Sequence, residues 1–327
     1  MPARSLTEGV ALTLVTAATA APSLHNTQPW RFRLDRAART VHVHSAPRLQ
    51  LPATDPDGRA VHISVGAALR NLQAAAVHQG WEPVTRLLPC PGTPDLLAAV
   101  RLAGPPRAAL LQRPDLHRAI WRRRSSRLPF TPEPVPETVL TELADAARLD
   151  GAELHRPGPG ERADWLRLTA EAELRNSLDP ARRAESGSCV SGPRRDWGLP
   201  AYACGPADSA GLLPVRAFDP ERPRGHTVFE SEPQLLLLTT AHDSPADWLR
   251  AGQALQHVLL VLTLHGVRAS LLHQAMEWPD LRRRLARPGA RHHVPQVLLR
   301  VGYGPAGFPT PRRPAPTVLD ELVRLPA

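Results

Sequence analysis

Two segments of the chain share one helix-like pattern, and this repeat limits the possible folds more than any other feature. The first runs from Gly66 to Gly80 and the second from Gly252 to Gly266. Each opens with Gly-x-Ala-Leu, continues with a polar pair and reaches its second glycine at the same spacing, and strand-like sequence follows both. Long helices that end at a glycine have this pattern. The repeat predicts a duplicated core with a cleft where its halves meet; chance similarity between two helices rich in alanine and leucine is the alternative.

The order of the predicted elements separates fold classes. In the first half we expect helices at 7–20 and 59–79 and strands at 29–35, 40–45, 83–89 and 97–103. In the second half we expect helices at 113–123, 136–148, 161–178, 245–265 and 279–286 and strands at 152–156, 234–240, near 270 and 295–303. Helices and strands do not alternate strictly, which favours an α+β fold over a doubly wound sheet.

The repeat divides the chain into an N-terminal half, 1–112, and a C-terminal half, 113–327. Within the second half, residues 179–232 are rich in proline, glycine and arginine and show no clear periodicity. A long irregular segment inside a compact domain is usually a functional lid or disordered. We interpret this insert as a lid.

The basic residues are all arginine, because none of the 40 lysine or arginine positions is lysine. A lysine Schiff base and the lysine of a Walker loop are therefore excluded. Any anion held by a side-chain cation must be held by arginine, which binds phosphate through two parallel hydrogen bonds. The net charge of +9 fits an anionic cofactor, nucleic acid or simply solvated arginine faces. No stretch interleaves aromatic with basic residues, so we expect no nucleic-acid partner.

The cysteines and the apolar runs indicate the cellular environment. Cys90, Cys189 and Cys204 are odd in number and have no C-x-x-C spacing, so neither a disulfide framework nor a metal site is expected. No run of about 20 apolar residues could span a membrane. Residues 10–22 are interrupted by threonines and predict a buried helix rather than a signal peptide. We expect a cytoplasmic protein without a membrane partner.

The string at 21–32 is the most informative motif: it reads Ala-Pro-Ser-Leu-His-Asn-Thr-Gln-Pro-Trp-Arg-Phe. Its two prolines fix the backbone, so Ser23, Asn26 and Gln28 would be held in place. Amide side chains both donate and accept hydrogen bonds, as the edge of a flavin pyrimidine requires. A proline-rich turn beside a helix cap is the alternative. His25 is interpreted as a packed structural histidine.

Three further strings carry arginine or follow a long helix. Residues 120–130 read Ile-Trp-Arg-Arg-Arg-Ser-Ser-Arg-Leu-Pro-Phe, and four arginines with two hydroxyls at a helix end suit a phosphate clamp or a solvated surface. A predicted buried strand at 295–303 ends in a glycine turn, and Arg312 and Arg313 follow it. The loop after the second long helix contains Ser270.

The 21–32 string resembles the A-P-S-x-x-N-x-Q-P-W-x-F signature of the nitroreductase superfamily, in which this loop lies against the flavin ring across a subunit interface. The 120–130 string resembles the family's R-R-S-x-R-x-F element, which binds the FMN phosphate and ribityl chain. The resemblance extends to the C-terminal basic pair and to the loop after the second long helix. It implies the following FMN-binding residues: Pro22, Ser23, Leu24, Asn26, Gln28, Arg123, Arg124, Ser125, Arg127, Ser270, Leu271, Arg312 and Arg313.

The order of the two motifs distinguishes this chain from an ordinary nitroreductase, in which the arginine element precedes the A-P-S element. Here the A-P-S element comes first, the arginine element begins only at residue 122, and the second half has no A-P-S string. The halves would therefore build one flavin site together. This arrangement resembles the Acg-type branch, known in actinobacteria, and implies a nitroreductase-like fold with an internal duplication that mimics a homodimer. The pseudo-dimer would be monomeric or would pair further.

The resemblance implies two functions. In the first, NAD(P)H binds transiently and reduces FMN, which then reduces an electron-poor acceptor such as a nitroaromatic or quinone; no catalytic side chain and no metal are predicted. In the second, a closed lid excludes NAD(P)H and the protein sequesters or stores FMN. Nucleic-acid binding, suggested by the net charge, is the third hypothesis.

Overall fold

The computed structural model describes residues 6–108, 115–191, 196–219, 221–286 and 293–321. The predicted boundary between the halves, at residues 112 and 113, lies outside the described residues, and that division stays a prediction. The helices are α1 Glu8–Thr19, α2 Arg59–His78, α3 His117–Arg122, α4 Glu137–Leu149, α5 Pro159–Leu178, α6 Pro180–Ser188, α7 Pro245–Leu264, α8 Pro279–Arg284 and α9 Ala315–Val318. The strands are β1 Trp30–Asp35, β2 Thr40–Ser45, β3 Pro83–Leu87, β4 Leu96–Leu102, β5 Glu153–His155, β6 Val190–Ser191, β7 Leu199–Pro200, β8 Ala207–Asp208, β9 His226–Thr227, β10 Gln234–Thr240, β11 Arg268–Leu271, β12 Val294–Gly302 and β13 Leu319–Glu321.

Two larger sheets form the framework. The first has the strand order β13-β1-β2-β4-β3 and the second β11-β12-β10-β5. Strand β13 lies near the C-terminus but pairs in parallel with β1, with Leu319 opposite Phe32. The other pairings within the two sheets are antiparallel. The α+β prediction is confirmed, and the end of the chain completes the sheet of the first half.

Helices α2 and α7 carry the sequence repeat, and they cross at its glycines. A Cβ atom added to Gly66 would lie 2.2 Å from the carbonyl oxygen of Leu249, and one added to Gly252 would lie 2.1 Å from that of Ile63. Only glycine permits so close an approach of two helix backbones. The corresponding glycines thus contact each other's helix reciprocally, as residues do across a two-fold interface.

The polar pairs of the repeat meet across the same crossing. The Gln256 side-chain amide donates to Asn71 Oδ1 at 2.6 Å, and Arg70 Nη2 lies 3.0 Å from the ring nitrogens of His257. The first residue of each polar pair therefore contacts the second residue of the other pair, which is a second reciprocal contact. This reciprocity confirms the duplicated core that the repeat predicted.

The helix ends follow the sequence signals. Ser244 accepts a hydrogen bond from the Asp247 backbone N–H, and the Asp247 side chain accepts one from Ser244. This capping box starts α7. Gly80 and Gly266 follow the C-terminal ends of α2 and α7 with φ of 77° and 71°, in the left-handed region that glycine tolerates.

The prediction that 179–232 is irregular is wrong in part. Its first residues form α6, where the Asp179 carboxylate accepts hydrogen bonds from the Ala181 and Arg182 backbone N–H groups. The two-stranded sheets β6–β7 and β8–β9 follow. Glu185 on α6 also accepts hydrogen bonds from the backbone of residues 53 and 54, at 2.7 and 2.9 Å. The described residues of the insert, 179–191, 196–219 and 221–232, therefore include regular elements, and Glu185 anchors α6 to residues 53 and 54.

Burial joins the halves into one interior. The main apolar cluster contains residues of both sheets and of α2 and α7, including Trp30, Leu69 and Leu260. A second cluster joins Leu213 and Phe229 of the insert to the second sheet. Within the described ranges, no helix is long and apolar enough to cross a bilayer.

Candidate functional site

The loop between α1 and β1 is strained. His25, Asn26 and Gln28 have φ values of 48°, 56° and 54°, a region that residues other than glycine seldom adopt. Such conformations cost about 1–3 kcal/mol each and cluster at functional sites. The loop is held by Ser23, whose hydroxyl accepts a hydrogen bond from the Gln28 N–H at 3.0 Å. Ser64 on α2 accepts another, from the Leu24 N–H at 3.2 Å.

The arginine element lies at the end of α3, and Arg123 is buried there. Its side chain is 3% exposed, and no carboxylate among the described residues pairs with it. Its Nη2 lies 3.4 Å from the Ala20 carbonyl oxygen, whereas Nε and Nη1 have no hydrogen-bond partner in the described structure. Burial, followed by the charges of Arg312 and Arg124, lowers the pKa of Arg123 to about 9. A buried cation in this state requires an anion.

Arg312 connects the arginine element to the strained loop. It donates to Asn26 Oδ1 at 2.8 Å and to the Thr310 hydroxyl at 2.6 Å. Burial, and then the charge of Arg124, lower the pKa of Arg312 to about 10. The N-terminal motif, the arginine element and the C-terminal basic pair, distant in sequence, therefore converge.

These residues line one cavity, here called the cationic cavity. Residues of three of the four sequence motifs lie in its wall around the guanidinium groups, and Leu271 of the fourth completes it. Its lining is Pro22, Ser23, Asn26, Arg123, Arg124, Ser125, Arg127, Leu199, Leu271, Phe308, Thr310 and Arg312.

A larger cavity, here called the apolar cavity, adjoins the cationic cavity and shares Pro22, Ser23, Arg127 and Leu271 with it. It contains about 890 Å³ of empty space, counting its open mouth. Both long helices, the strained loop, the second sheet and the insert supply its walls. The rest of its lining is Leu24, His25, Ala60, Ile63, Ser64, Leu213, Val215, Arg216, Phe218, Leu255, Ser270, Leu272, His273, Gln274, Val297 and Arg300.

Two of the predicted binding residues do not line either cavity. The Gln28 side-chain amide donates to the Asp196 carbonyl at 2.8 Å and accepts from the Arg313 backbone N–H at 2.8 Å. Both residues therefore tie the loop, the insert and the C-terminal segment together. The other eleven predicted residues all lie in the wall of one cavity or of both. Their binding roles stay predictions.

The insert supplies wall residues that sequence reasoning missed. The Phe218 ring packs edge-on against His25 with centroids 5.4 Å apart, and Arg127 lies over the same ring at 5.1 Å. Composition indicated a lid but gave no signal for Phe218 or its neighbour Arg216. His273 was also missed, although extension of the predicted loop beyond Leu271 would have found it.

The two histidines of the apolar cavity are held neutral. Burial is the main cause that lowers the pKa of His25 well below 6.5, followed by the charge of Arg216. Burial is also the main cause that lowers the pKa of His273 well below 6.5, and the charge of Arg59 is the second cause. Neither ring nitrogen of His25 has a hydrogen-bond partner among the described residues.

A buried carboxylate fixes the insert at this wall. Glu277 forms ion pairs with Arg216 and, at 3.4 Å, with Arg182, and both arginines belong to the insert. Asn176 donates to its Oε2 at 3.0 Å. Burial raises the pKa of Glu277, against the lowering effect of Arg216 and Arg182. Arg216 lines the apolar cavity, so Glu277 controls the position of a wall residue.

In the described part of the chain, no cluster of histidine, cysteine or acidic side chains could hold a metal ion.

Sequence comparison finds relatives over nearly the full length. "Putative NAD(P)H nitroreductase acg" of Mycobacterium tuberculosis is 30% identical, and the alignment covers 100% of this chain and 99% of the relative. "Putative NAD(P)H nitroreductase Rv3131" of the same species is 31% identical over 95% of this chain and 92% of the relative. A third M. tuberculosis relative, "Uncharacterized protein Rv3127", is 31% identical over 92% and 90%. No family model matches the chain.

Solved structures give weaker similarities. A nitroreductase with bound FMN from Bacteroides fragilis matches with a TM-score of 0.37 and 12% identity, over 61% of this chain and 92% of that one. The FMN- and NADPH-dependent nitroreductase NfnB from Sphigopyxis sp. strain HMH matches with a TM-score of 0.38 and 19% identity, over 63% and 97%.

Proposed function

The chain belongs to the nitroreductase family, in its Acg-type branch, and from this premise we propose that it is a flavoprotein that binds one FMN between its two halves. The observation that carries the proposal is the uncompensated cationic cavity beside the apolar cavity. A phosphate would supply the negative charge that Arg123 and Arg312 lack, and a flat isoalloxazine would suit the adjoining apolar walls. The unpartnered Arg123 nitrogens fit such a group.

Different residues of the two cavities would contact different parts of FMN. Arg123, Arg124 and Arg312 would grip the phosphate, with the hydroxyl of Ser125 as a further donor. The strained loop would place Ser23 and Asn26 beside the rest of the cofactor. The side chains of Leu213 and Phe218 would exclude water on the insert side.

The activity that we propose is NAD(P)H-dependent reduction of an electron-poor acceptor, such as a nitroaromatic or a quinone. FMN, when bound, supplies hydride and electron transfer. The chain's residues bind and orient the reactants, and no described side chain is required as a proton donor.

A second function, FMN sequestration, is favoured by one observation. Leu213, Val215, Arg216 and Phe218 of the insert form part of the cavity wall, and Glu277 fixes Arg216 there. If this wall stays closed, reduced nicotinamide cannot reach the flavin. The protein would then hold FMN with little turnover.

Spectroscopy tests the cofactor. We expect the purified protein to be yellow, with an oxidised flavin spectrum, and to release one FMN per chain on denaturation. A protein that binds no FMN when the cofactor is supplied would refute the proposal.

Anaerobic stopped-flow mixing with NADH and with NADPH then separates the two functions. Bleaching of the flavin within seconds, followed by reoxidation on addition of a nitroaromatic or quinone, supports the reductase. An oxidised spectrum that persists for minutes supports sequestration.

A further inference from the structure

Three features of His25 destabilise the folded protein. Its backbone is in the left-handed region, its ring is buried, and neither ring nitrogen has a hydrogen-bond partner among the described residues. A buried polar group without a partner destabilises the folded state. A histidine that served only for packing could be replaced by an apolar ring without this penalty.

The position of His25 indicates which molecule would supply the missing partner. It lines the apolar cavity but not the cationic cavity, and its ring contacts Phe218 of the insert. It therefore lies on the insert side, away from the arginines that would hold the phosphate. A second molecule that entered between the flavin and the insert would meet His25.

We propose that His25 donates a hydrogen bond to an oxygen substituent of a flat aromatic acceptor and so orients that acceptor beside the flavin. The inference rests on the proposed function for the place of the flavin. The walls around His25 include Leu24, Leu213 and Phe218, which suit an aromatic ring. The acceptor that His25 would orient is of the class already proposed, an aromatic compound with a nitro or carbonyl oxygen.

The charge state of the ring agrees with this role. Because the pKa of His25 lies well below 6.5, the imidazole is neutral near pH 7 and keeps one N–H donor. Protonation would begin only as the pH falls towards that lowered pKa. Acceptor binding is expected to be constant between about pH 6 and about pH 8, where an ordinary histidine titrates.

The experiment uses the FMN-loaded protein with two probes of similar size, nitrobenzene and ethylbenzene, of which only nitrobenzene has acceptor oxygens. Each is titrated against the oxidised protein, and binding is read from the change in the flavin visible spectrum, so no turnover is needed. We expect His25→Phe to weaken nitrobenzene binding by about tenfold, the loss of one buried hydrogen bond. Ethylbenzene binding and FMN affinity should be unchanged.

Other outcomes overturn the inference. Equal weakening of both probes would mean that His25 only shapes the cavity. A weaker FMN affinity with unchanged nitrobenzene binding would mean that His25 serves the flavin. An FMN-loaded wild-type protein that does not bind nitrobenzene would also refute the inference while the proposed flavin site stands, whereas failure to bind FMN refutes the proposed function itself.

A second variant covers a folding failure of His25→Phe, which circular dichroism would reveal. His25→Gly also removes the N–H donor, and glycine tolerates the left-handed backbone. It should lose the same preference for nitrobenzene over ethylbenzene. Retention of that preference by a folded His25→Gly protein would contradict the proposal.

Discussion

At the scale of single residues, the site contains buried polar atoms that have no hydrogen-bond partner among the described residues. Arg123 is buried beside Arg312 and Arg124, and the three positive charges have no carboxylate among them in the described structure. Desolvation of a charge is unfavourable, and like charges nearby add to it. We expect a bound anion to offset this unfavourable free energy.

Replacement of Arg123 should therefore raise the stability of the FMN-free protein and lower its affinity for FMN. Arg123→Met removes the buried charge, so the FMN-free protein should gain about 1–4 kcal/mol in free energy of unfolding. The same change removes charged hydrogen bonds to phosphate, so FMN should bind about 10- to 100-fold more weakly. Urea unfolding of the FMN-free protein and fluorescence titration with FMN measure the two quantities.

Arg122 is the matched control, because it is the preceding residue and is exposed. Arg122→Met should change neither quantity. If Arg123→Met instead destabilised the FMN-free protein and left FMN binding intact, Arg123 would be a structural residue.

The sequence motifs identified most of these residues, but they did not predict the backbone angles or the missing hydrogen-bond partners. The motifs identified Arg123, Arg312 and Asn26 because phosphate and amide chemistry leaves a pattern of residue types. The same pattern also selected Gln28 and Arg313, which line neither cavity and join the loop, the insert and the C-terminal segment; their binding roles stay predictions. The interpretation of His25 as a packed structural residue could not anticipate its backbone angle or its unpartnered nitrogens, which depend on the tertiary structure.

At the scale of elements, the crossing of α2 and α7 fixes how the halves meet. Gly252→Ala would place a Cβ atom 2.1 Å from the Ile63 carbonyl oxygen, and a backbone atom cannot move aside as a side chain can. We expect the free energy of unfolding to fall by about 3 kcal/mol or more, measured by urea denaturation.

Gly9 on α1 provides the control, because a Cβ atom added there has nothing within 4 Å. Gly9→Ala should leave stability unchanged or raise it by up to about 1 kcal/mol, since alanine favours helix over glycine. Equal effects of the two substitutions would mean that the helices do not approach as closely as described.

The element boundaries were largely predictable, and the exceptions have physical causes. Helix α7 was predicted within one residue because Ser244, Pro245 and Gly266 all signal its ends. Helix α6 was missed because its sequence is polar, so only its Asp179 cap and its contacts identify it. Two-residue strands are too short for an alternating pattern, and the pairing of β13 with β1 joins distant residues by backbone bonds that leave no sequence pattern.

At the scale of the whole molecule, the insert contributes Leu213, Arg216 and Phe218 to the wall of the apolar cavity, and a buried ion pair holds Arg216 there. Glu277 belongs to the turn after β11, whereas Arg182 and Arg216 belong to the insert, so one buried carboxylate holds two segments of the insert to that turn. Removal of one partner from a buried ion pair costs about 3–5 kcal/mol, because the remaining charges are left uncompensated. Glu277→Gln should therefore release the insert from the cavity wall.

The release has two consequences in the FMN-loaded protein. FMN should dissociate at least tenfold faster, which the rise in free-flavin fluorescence after dilution measures, and trypsin should cleave sooner after the arginines of the insert. Glu221→Gln alters an exposed glutamate of the same insert and should change neither rate. If Glu277→Gln behaves like this control while circular dichroism shows an intact fold, the insert is held by other contacts, such as those of Glu185.

The same variant separates the two functions. If the wild-type flavin resists NADPH because the insert is closed, NADPH should reduce the flavin of Glu277→Gln. If NADPH already reduces the wild-type flavin, the reduction rate should change little.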